Sequence, residues 1–136
     1  MIIVDTGPLV AAADSDDKHH AACSHLLLTT REQLVIPAPV VVEVGYLLDR
    51  ELGPHAEATF LRTLATGALT VEANTDADFE RAAELIEHYN KLRLGTVDAL
   101  VIATAERLHT HRIATIDRRH FTVVRPTHID AFELLP

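Results

Sequence analysis

A single cysteine, Cys23, stands among 136 residues, so no disulfide can close within the chain. Its neighbours are apolar, and the thiol reads as a small core side chain. Nowhere do about 18 apolar residues run together, which excludes an ordinary membrane-spanning helix. The N-terminus has no basic stretch ahead of an apolar one, so no secretory signal is expected and the chain reads as cytosolic. Internal repeats and low-complexity tracts are missing too. His19, His20 and His25 lie close together, but no Cys or His at matching spacing accompanies them. A zinc site is therefore not expected, and the three should face solvent. The chain also lacks the glycine pattern of a phosphate-binding loop, the Gly-x-Ser-x-Gly elbow and the His-Glu-x-x-His helix.

Positive charge is scarce. Twelve Lys and Arg against 20 Asp and Glu leave a net charge of −8. That balance argues against holding nucleic acid by general attraction to phosphate. It does not exclude a nuclease, because clustered acids that bind divalent cations let the ions supply the positive charge. The same negative pocket would attract an Arg- or Lys-rich partner.

What is present fits one globular domain spanning residues 1–136, with an apolar fraction of 48%. Ile2-Ile3-Val4 is a β-branched run that stops at Asp5, a buried strand handing over to a helix that begins near Pro8. Asp14, Asp16 and Asp17 read as caps and turn formers before a helix over 19–31, whose inward face carries Ala22, Leu26 and Leu27. Leu34-Val35-Ile36 is a second strand, followed by a helix over 40–51 with Val40, Val44, Leu47 and Leu48 on its apolar stripe. Gly53-Pro54 opens a helix over 55–65 with Ala58, Leu61 and Leu64 inward, and Leu69-Thr70-Val71 forms a third strand. A long helix over 75–92 follows, in which Asp76 and Asp78 serve the helix dipole. Gly95 leads into a helix with Val97, Leu100, Val101, Thr104, Ala105 and Leu108 buried, which runs into the strand Ile113-Ala114-Thr115-Ile116. Val123-Val124 reads as a closing strand before an irregular tail over 126–136. Strands separated by helices imply a three-layer α/β/α sandwich around a mainly parallel sheet with right-handed crossovers.

Four carboxylates stand out. Asp5 and Asp117 each terminate a buried strand, where the crevice beyond the carboxyl ends of an α/β sheet binds ligands. Glu43 and Asp98 lie in strongly apolar helical segments, where a bare charge is costly. Competing readings are a solvated face for Glu43 and simple capping for Asp98 in its first helical turn. Hard divalent cations prefer oxygen ligands, and Mg²⁺ is completed by a few carboxylates, waters and a substrate phosphate. Such ions position and acidify an attacking water at a phosphodiester.

Four stretches carry a resemblance. Asp5-Thr6-Gly7-Pro8-Leu9, Pro39-Val40-Val41-Val42-Glu43-Val44, Asp98-Ala99-Leu100-Val101-Ile102-Ala103-Thr104-Ala105 and Thr115-Ile116-Asp117-Arg118-Arg119-His120-Phe121 resemble the PIN domain, and more narrowly the VapC toxins of toxin–antitoxin pairs. Each motif alone is common; together, in this order and across nearly the whole chain, they are specific. The resemblance implies a Mg²⁺- or Mn²⁺-dependent endoribonuclease acting on structured RNA, usually a homodimer, silenced by a cognate antitoxin. Asp5 and Asp98 would be the principal metal ligands, Glu43 and Asp117 would complete the acidic pocket, and Thr6 and Thr115 would orient the acids. Arg118 and Arg119 are read three ways: contacts to RNA phosphate, contacts to the partner subunit, or a solvated turn. Arg119 stands where some relatives carry a further acid, which leaves the number of ions open. Two alternatives remain: a PIN-like binding module without activity, and a metal-dependent nuclease acting on DNA. The apolar helices after Gly53 and before Gly95 read equally as a dimer or antitoxin surface and as core.

Overall fold

β-branched side chains suit a pleated, fully covered surface, and Ile2-Ile3-Val4 meets both conditions. In the computed structural model, which describes residues Met1–Pro136, they form β1 (Ile2–Val4), buried at every position. The chain then continues through α1 (Thr6–Ala13), α2 (His20–Thr29), β2 (Leu34–Pro37), α3 (Ala38–Leu52), α4 (Pro54–Ala65), β3 (Thr70–Glu72), α5 (Asp76–His88), α6 (Thr96–Arg107), β4 (Arg112–Ala114), α7 (Arg118–Val123) and β5 (Glu133–Leu135). The five strands are all parallel, in the order β3-β2-β1-β4-β5, and helices flank the sheet. No helix is long and apolar enough to cross a membrane.

The strand order positions the site. From β1 the chain winds outward to β2 and β3, then returns across the sheet to place β4 and β5 on the other side of β1. The winding reverses between β1 and β4, and a crevice opens beyond their carboxyl ends at such a reversal. Ile3 pairs with Ile113 and Val4 with Ala114, so the residues that follow, Asp5 and Thr115, emerge side by side.

α6 is covered on all sides. The sequence pattern gave it a stripe, yet every residue from Ala99 to Glu106 is buried, as befits a helix that is apolar nearly all round. α5 packs along α6, and two arginines tie the pair together. Arg107 contacts Asp78 at 3.0 Å and Glu72 at 2.9 Å, and Arg81 contacts Glu106 at 2.7 Å. Asp78 does more than serve the helix dipole: it is buried and completes a capping box with Thr75. Burial pushes its carboxyl up, but hydrogen bonds from Arg107, the Thr75 amide and Asn74 outweigh that and hold it below the usual carboxylate range.

Several boundaries differ from the sequence expectations. The 75–92 helix stops at His88 and passes through a 3₁₀ turn over Asn90–Leu92. Val123-Val124 is not a strand: Asp117 caps a helical turn, and Phe121 and Val124, three residues apart, turn inward from it. The tail is not irregular throughout, since Glu133–Leu135 pairs with β4 and closes that edge. On α4 the inward side chains are Ala56, Phe60 and Leu64, whereas Leu61 is exposed. On α2 Cys23 takes the buried position and Ala22 is exposed. Asp14 and Asp17 accept hydrogen bonds from the Asp16 and His19 amides, as turn formers should. His20 is only partly exposed, because its Nδ1 meets the Ala11 carbonyl at 2.9 Å.

Candidate active site

Asp5 is the last residue before α1, in extended conformation at φ −82° and ψ 171°. Its amide donates to the Ala114 carbonyl at 2.9 Å, which continues the β1–β4 ladder one residue further and fixes the side chain over the crevice. Gly7 makes this approach possible: a Cβ at that position would run into the Ile116 side chain. The Thr115 hydroxyl donates to Asp5 Oδ2 at 2.9 Å, and the Thr6 hydroxyl donates to Glu43 Oε2. Each threonine thus hydrogen-bonds one of the acids.

The Asp5 carboxyl is only 6% exposed. Burial pushes it up from 3.8 to about 6; hydrogen bonds from the Thr6 amide and the Thr115 hydroxyl work against that shift, and the charges of Asp98 and Glu43 add to it. Three acids from β1, α3 and α6 thus share one electrostatic neighbourhood, although 93 residues separate the first from the last. Glu43 is half-buried on α3, beside the buried Val40 and Val44. Asp98 lies in the first turn of α6, and it does not cap that helix: no side chain caps at Gly95.

Asp117 is placed differently. Its side chain is exposed and accepts from the Arg119 amide at 3.3 Å, so it caps α7. It is linked to the other acids through its carbonyl, which lies 3.2 Å from the Thr115 hydroxyl. Arg118 reaches the Pro136 carbonyl at 2.5 Å.

Sequence reasoning assigned no role to His120. Its Nδ1 lies 2.5 Å from Asp98 Oδ2, and Arg119 approaches its Nε2 at 3.0 Å. The ring is buried in spite of the exposed residues before it. A helical reading of 118–124, with Asp117 as cap and Phe121 and Val124 inward, would have turned His120 toward the site.

The donors are carboxylate oxygens, with hydroxyls behind them, which suits Mg²⁺ or Mn²⁺ rather than zinc. As they stand, no three acidic or imidazole side chains surround one point closely enough to ligate a single ion. Glu43 Oε2 accepts from the Thr6 hydroxyl, and Asp98 Oδ2 meets His120 Nδ1.

Comparison with known proteins bears on the fold and the family. Residues 2–125 match the PIN domain. The chain is 36% identical over 135 residues to the ribonuclease VapC26 of Mycobacterium tuberculosis, covering 99% of this chain and 100% of that one. Among solved structures, VapC20 of M. tuberculosis, described as a sarcin-ricin loop cleaving toxin, superposes with a TM-score of 0.78 at 22% identity, over 83% of this chain and 87% of that one. VapBC2 of Rickettsia felis, solved with a DNA fragment of its promoter, gives 0.71 at 16% identity over the full length of both chains. The chain belongs to the PIN domain family and, within it, to the VapC branch.

Proposed function

We infer that this chain is a metal-dependent endoribonuclease and the toxin of a toxin–antitoxin pair, acting in the cytoplasm. The observation that carries the reading is the buried Asp5 carboxyl, coupled by charge to Asp98 and Glu43 at the sheet's reversal. Burying a carboxylate among like charges costs stability, and a site that accepts this cost is built for a cation. The full-length match to a relative named as a ribonuclease supports the choice of substrate.

Asp5 and Asp98 would hold Mg²⁺ or Mn²⁺, with Glu43 and Asp117 completing the pocket directly or through water. A bound divalent ion supplies an acidified water and neutralises charge developing on the scissile phosphate. The chain's own groups do the rest. Thr115 fixes Asp5 by donating to its Oδ2, and the Thr6 amide holds the same carboxyl. Thr6 anchors Glu43 at the mouth, where a carboxylate can orient water or take up a proton. The buried floor formed by Val4, Ala114 and Thr115 keeps the local dielectric low and strengthens each of these interactions.

The partner is an antitoxin with an apolar helix and a basic segment. A groove of about 600 Å³, with Leu9, Leu27, Leu28, Leu48, Phe60 and Leu69 among its lining residues, runs between α1, α2 and α4. Leu28 is 84% exposed there, an apolar side chain without a cover. α1 connects groove and pocket: Leu9 lines the first, and Asp5, one turn earlier, lies in the second. A segment seated in the groove can therefore extend a cationic side chain into the acids. A structural neighbour from Klebsiella pneumoniae described as a toxin–antitoxin complex supports this reading. The protein forms a homodimer, for which the exposed Val42 and Tyr46, one turn apart on α3, offer apolar surface.

The test is cleavage of total cellular RNA and of single-stranded DNA with Mg²⁺, with Mn²⁺ and with EDTA. RNA cut internally only in the presence of metal supports the assignment. Cleavage of DNA alone points to a deoxyribonuclease, and no cleavage of either to a binding module.

A further inference from the structure

We propose that His120 is a positioning residue for Asp98, and that Arg119 acts through it by fixing which ring nitrogen carries the proton. The proposal rests on Asp98 being a metal ligand and adds the groups that aim it.

The hydrogen-bonding inventory decides the tautomer. A guanidinium only donates, so the imidazole nitrogen it approaches must offer a lone pair. Arg119 lies 3.0 Å from Nε2. The ring proton is therefore on Nδ1, which faces Asp98 Oδ2 at 2.5 Å and donates to it. A doubly protonated ring would set an N–H against the N–H groups of Arg119. The contact with Asp98 is thus a hydrogen bond that Nδ1 donates to the carboxylate.

Three features make this a device rather than a chance contact. His120 is 8% exposed and sits beside Phe121 in the core, so the ring cannot turn away. α7 is anchored at its start by Asp117, whose carboxylate accepts from the Arg119 amide. Arg119 is exposed, in a chain with 20 acids, yet its guanidinium is directed at an imidazole. The outcome is that Asp98 Oδ2 is held by His120 as Asp5 Oδ2 is held by Thr115, and each carboxylate is fixed by a donor on one oxygen. A carboxylate held by a donor behind it loses less rotational freedom on binding a cation.

The experiment uses the full chain, with Mn²⁺ as probe. Long-range nitrogen NMR of the metal-free protein reads the His120 tautomer, and calorimetric titration reads Mn²⁺ affinity. The wild type should show the Nδ1–H form. His120→Leu should weaken Mn²⁺ binding about 10- to 100-fold. His120→Asn, whose amide can donate from nearly the position of Nδ1, should recover much of the loss. Arg119→Leu alters an exposed side chain, so it should leave the melting temperature in EDTA unchanged while mixing the tautomers and weakening Mn²⁺ several-fold. A ring whose Nδ1 carries no proton overturns the proposal, as does Mn²⁺ affinity equal to wild type in both His120→Leu and Arg119→Leu. Failure of the wild type to bind Mn²⁺ would instead remove the metal site itself; the nitrogen spectrum then still decides the tautomer.

Discussion

Asp5→Asn should stabilise the metal-free protein, although it removes a group central to function. Asp5 moves from 3.8 to about 6 on folding. A raised carboxyl pKa means that the folded state binds the proton more tightly, so this group's contribution to stability is greatest at low pH and is lost as pH rises through the interval between the two values. At about 1.36 kcal/mol per pH unit, the ionised Asp5 costs about 3 kcal/mol at pH 7.5. Asparagine removes the charge and keeps an oxygen for the Thr115 hydroxyl, but forfeits a charge-assisted bond with the Thr6 amide, worth about 1.5 kcal/mol. The expected net gain is about 1.5 kcal/mol, or roughly 4–8 °C in melting temperature for a chain of this size. The assay is thermal unfolding followed by circular dichroism in EDTA, wild type against variant, at pH 7.5 and pH 5. The wild-type penalty should roughly halve at pH 5, where the folded carboxyl is largely protonated, and the gap between the proteins should narrow accordingly. A variant less stable than wild type at pH 7.5, or a gap that ignores pH, would refute the reasoning.

Other consequences are as direct. Divalent metal should raise the wild-type melting point at pH 8, by about 2.7 kcal/mol in stability once free Mn²⁺ exceeds its dissociation constant roughly 100-fold, and the rise should shrink below about pH 6 as Asp5 takes up a proton. Differential scanning fluorimetry across pH measures both. Asp98→Asn should abolish RNA cleavage without lowering the melting point in EDTA, because its oxygen can still accept from His120 and α6 does not depend on Asp98 for its cap. A marked loss of stability would return Asp98 to a structural role. Arg107→Met should destabilise by about 2–4 kcal/mol in urea titrations, since it strands the buried Asp78 carboxylate. The acid limb of its pH–stability curve should also flatten, because stability from a depressed carboxyl is lost as pH falls, and Asp78 without Arg107 is depressed less.

The site was legible where chemistry and pattern coincide. Asp5 follows a β-branched run, and Glu43 and Asp98 interrupt apolar helices, so each acid was conspicuous against its neighbours, and the structure brings these three together. Local signals served less well near the C-terminus. Val123-Val124 has strand composition, but the Asp117 cap and the burial of Phe121 and Val124 settle a helix that propensity alone would not choose. Glu133–Leu135 becomes a strand only because β4 offers an open edge, a tertiary fact that three residues cannot announce. His120 escaped notice for a similar reason: directly after two arginines it looks solvated, and only the fold sets it against a carboxylate 22 residues earlier. On α4 the choice among apolar faces depends on what lies beneath, and the sequence reading chose the phase that includes the exposed Leu61.

The sheet's strand order also bears on how the molecule is made. β1 lies at the centre of the sheet, but its neighbour β4 lies more than 100 positions downstream, and the hydroxyl that steadies Asp5 arrives with Thr115. A nascent or prematurely ended polypeptide thus displays the leading acid without Asp98, without its supporting threonine and without half of the floor beneath it. The centre thus depends on closure between distant parts of the chain, and no local fragment carries it.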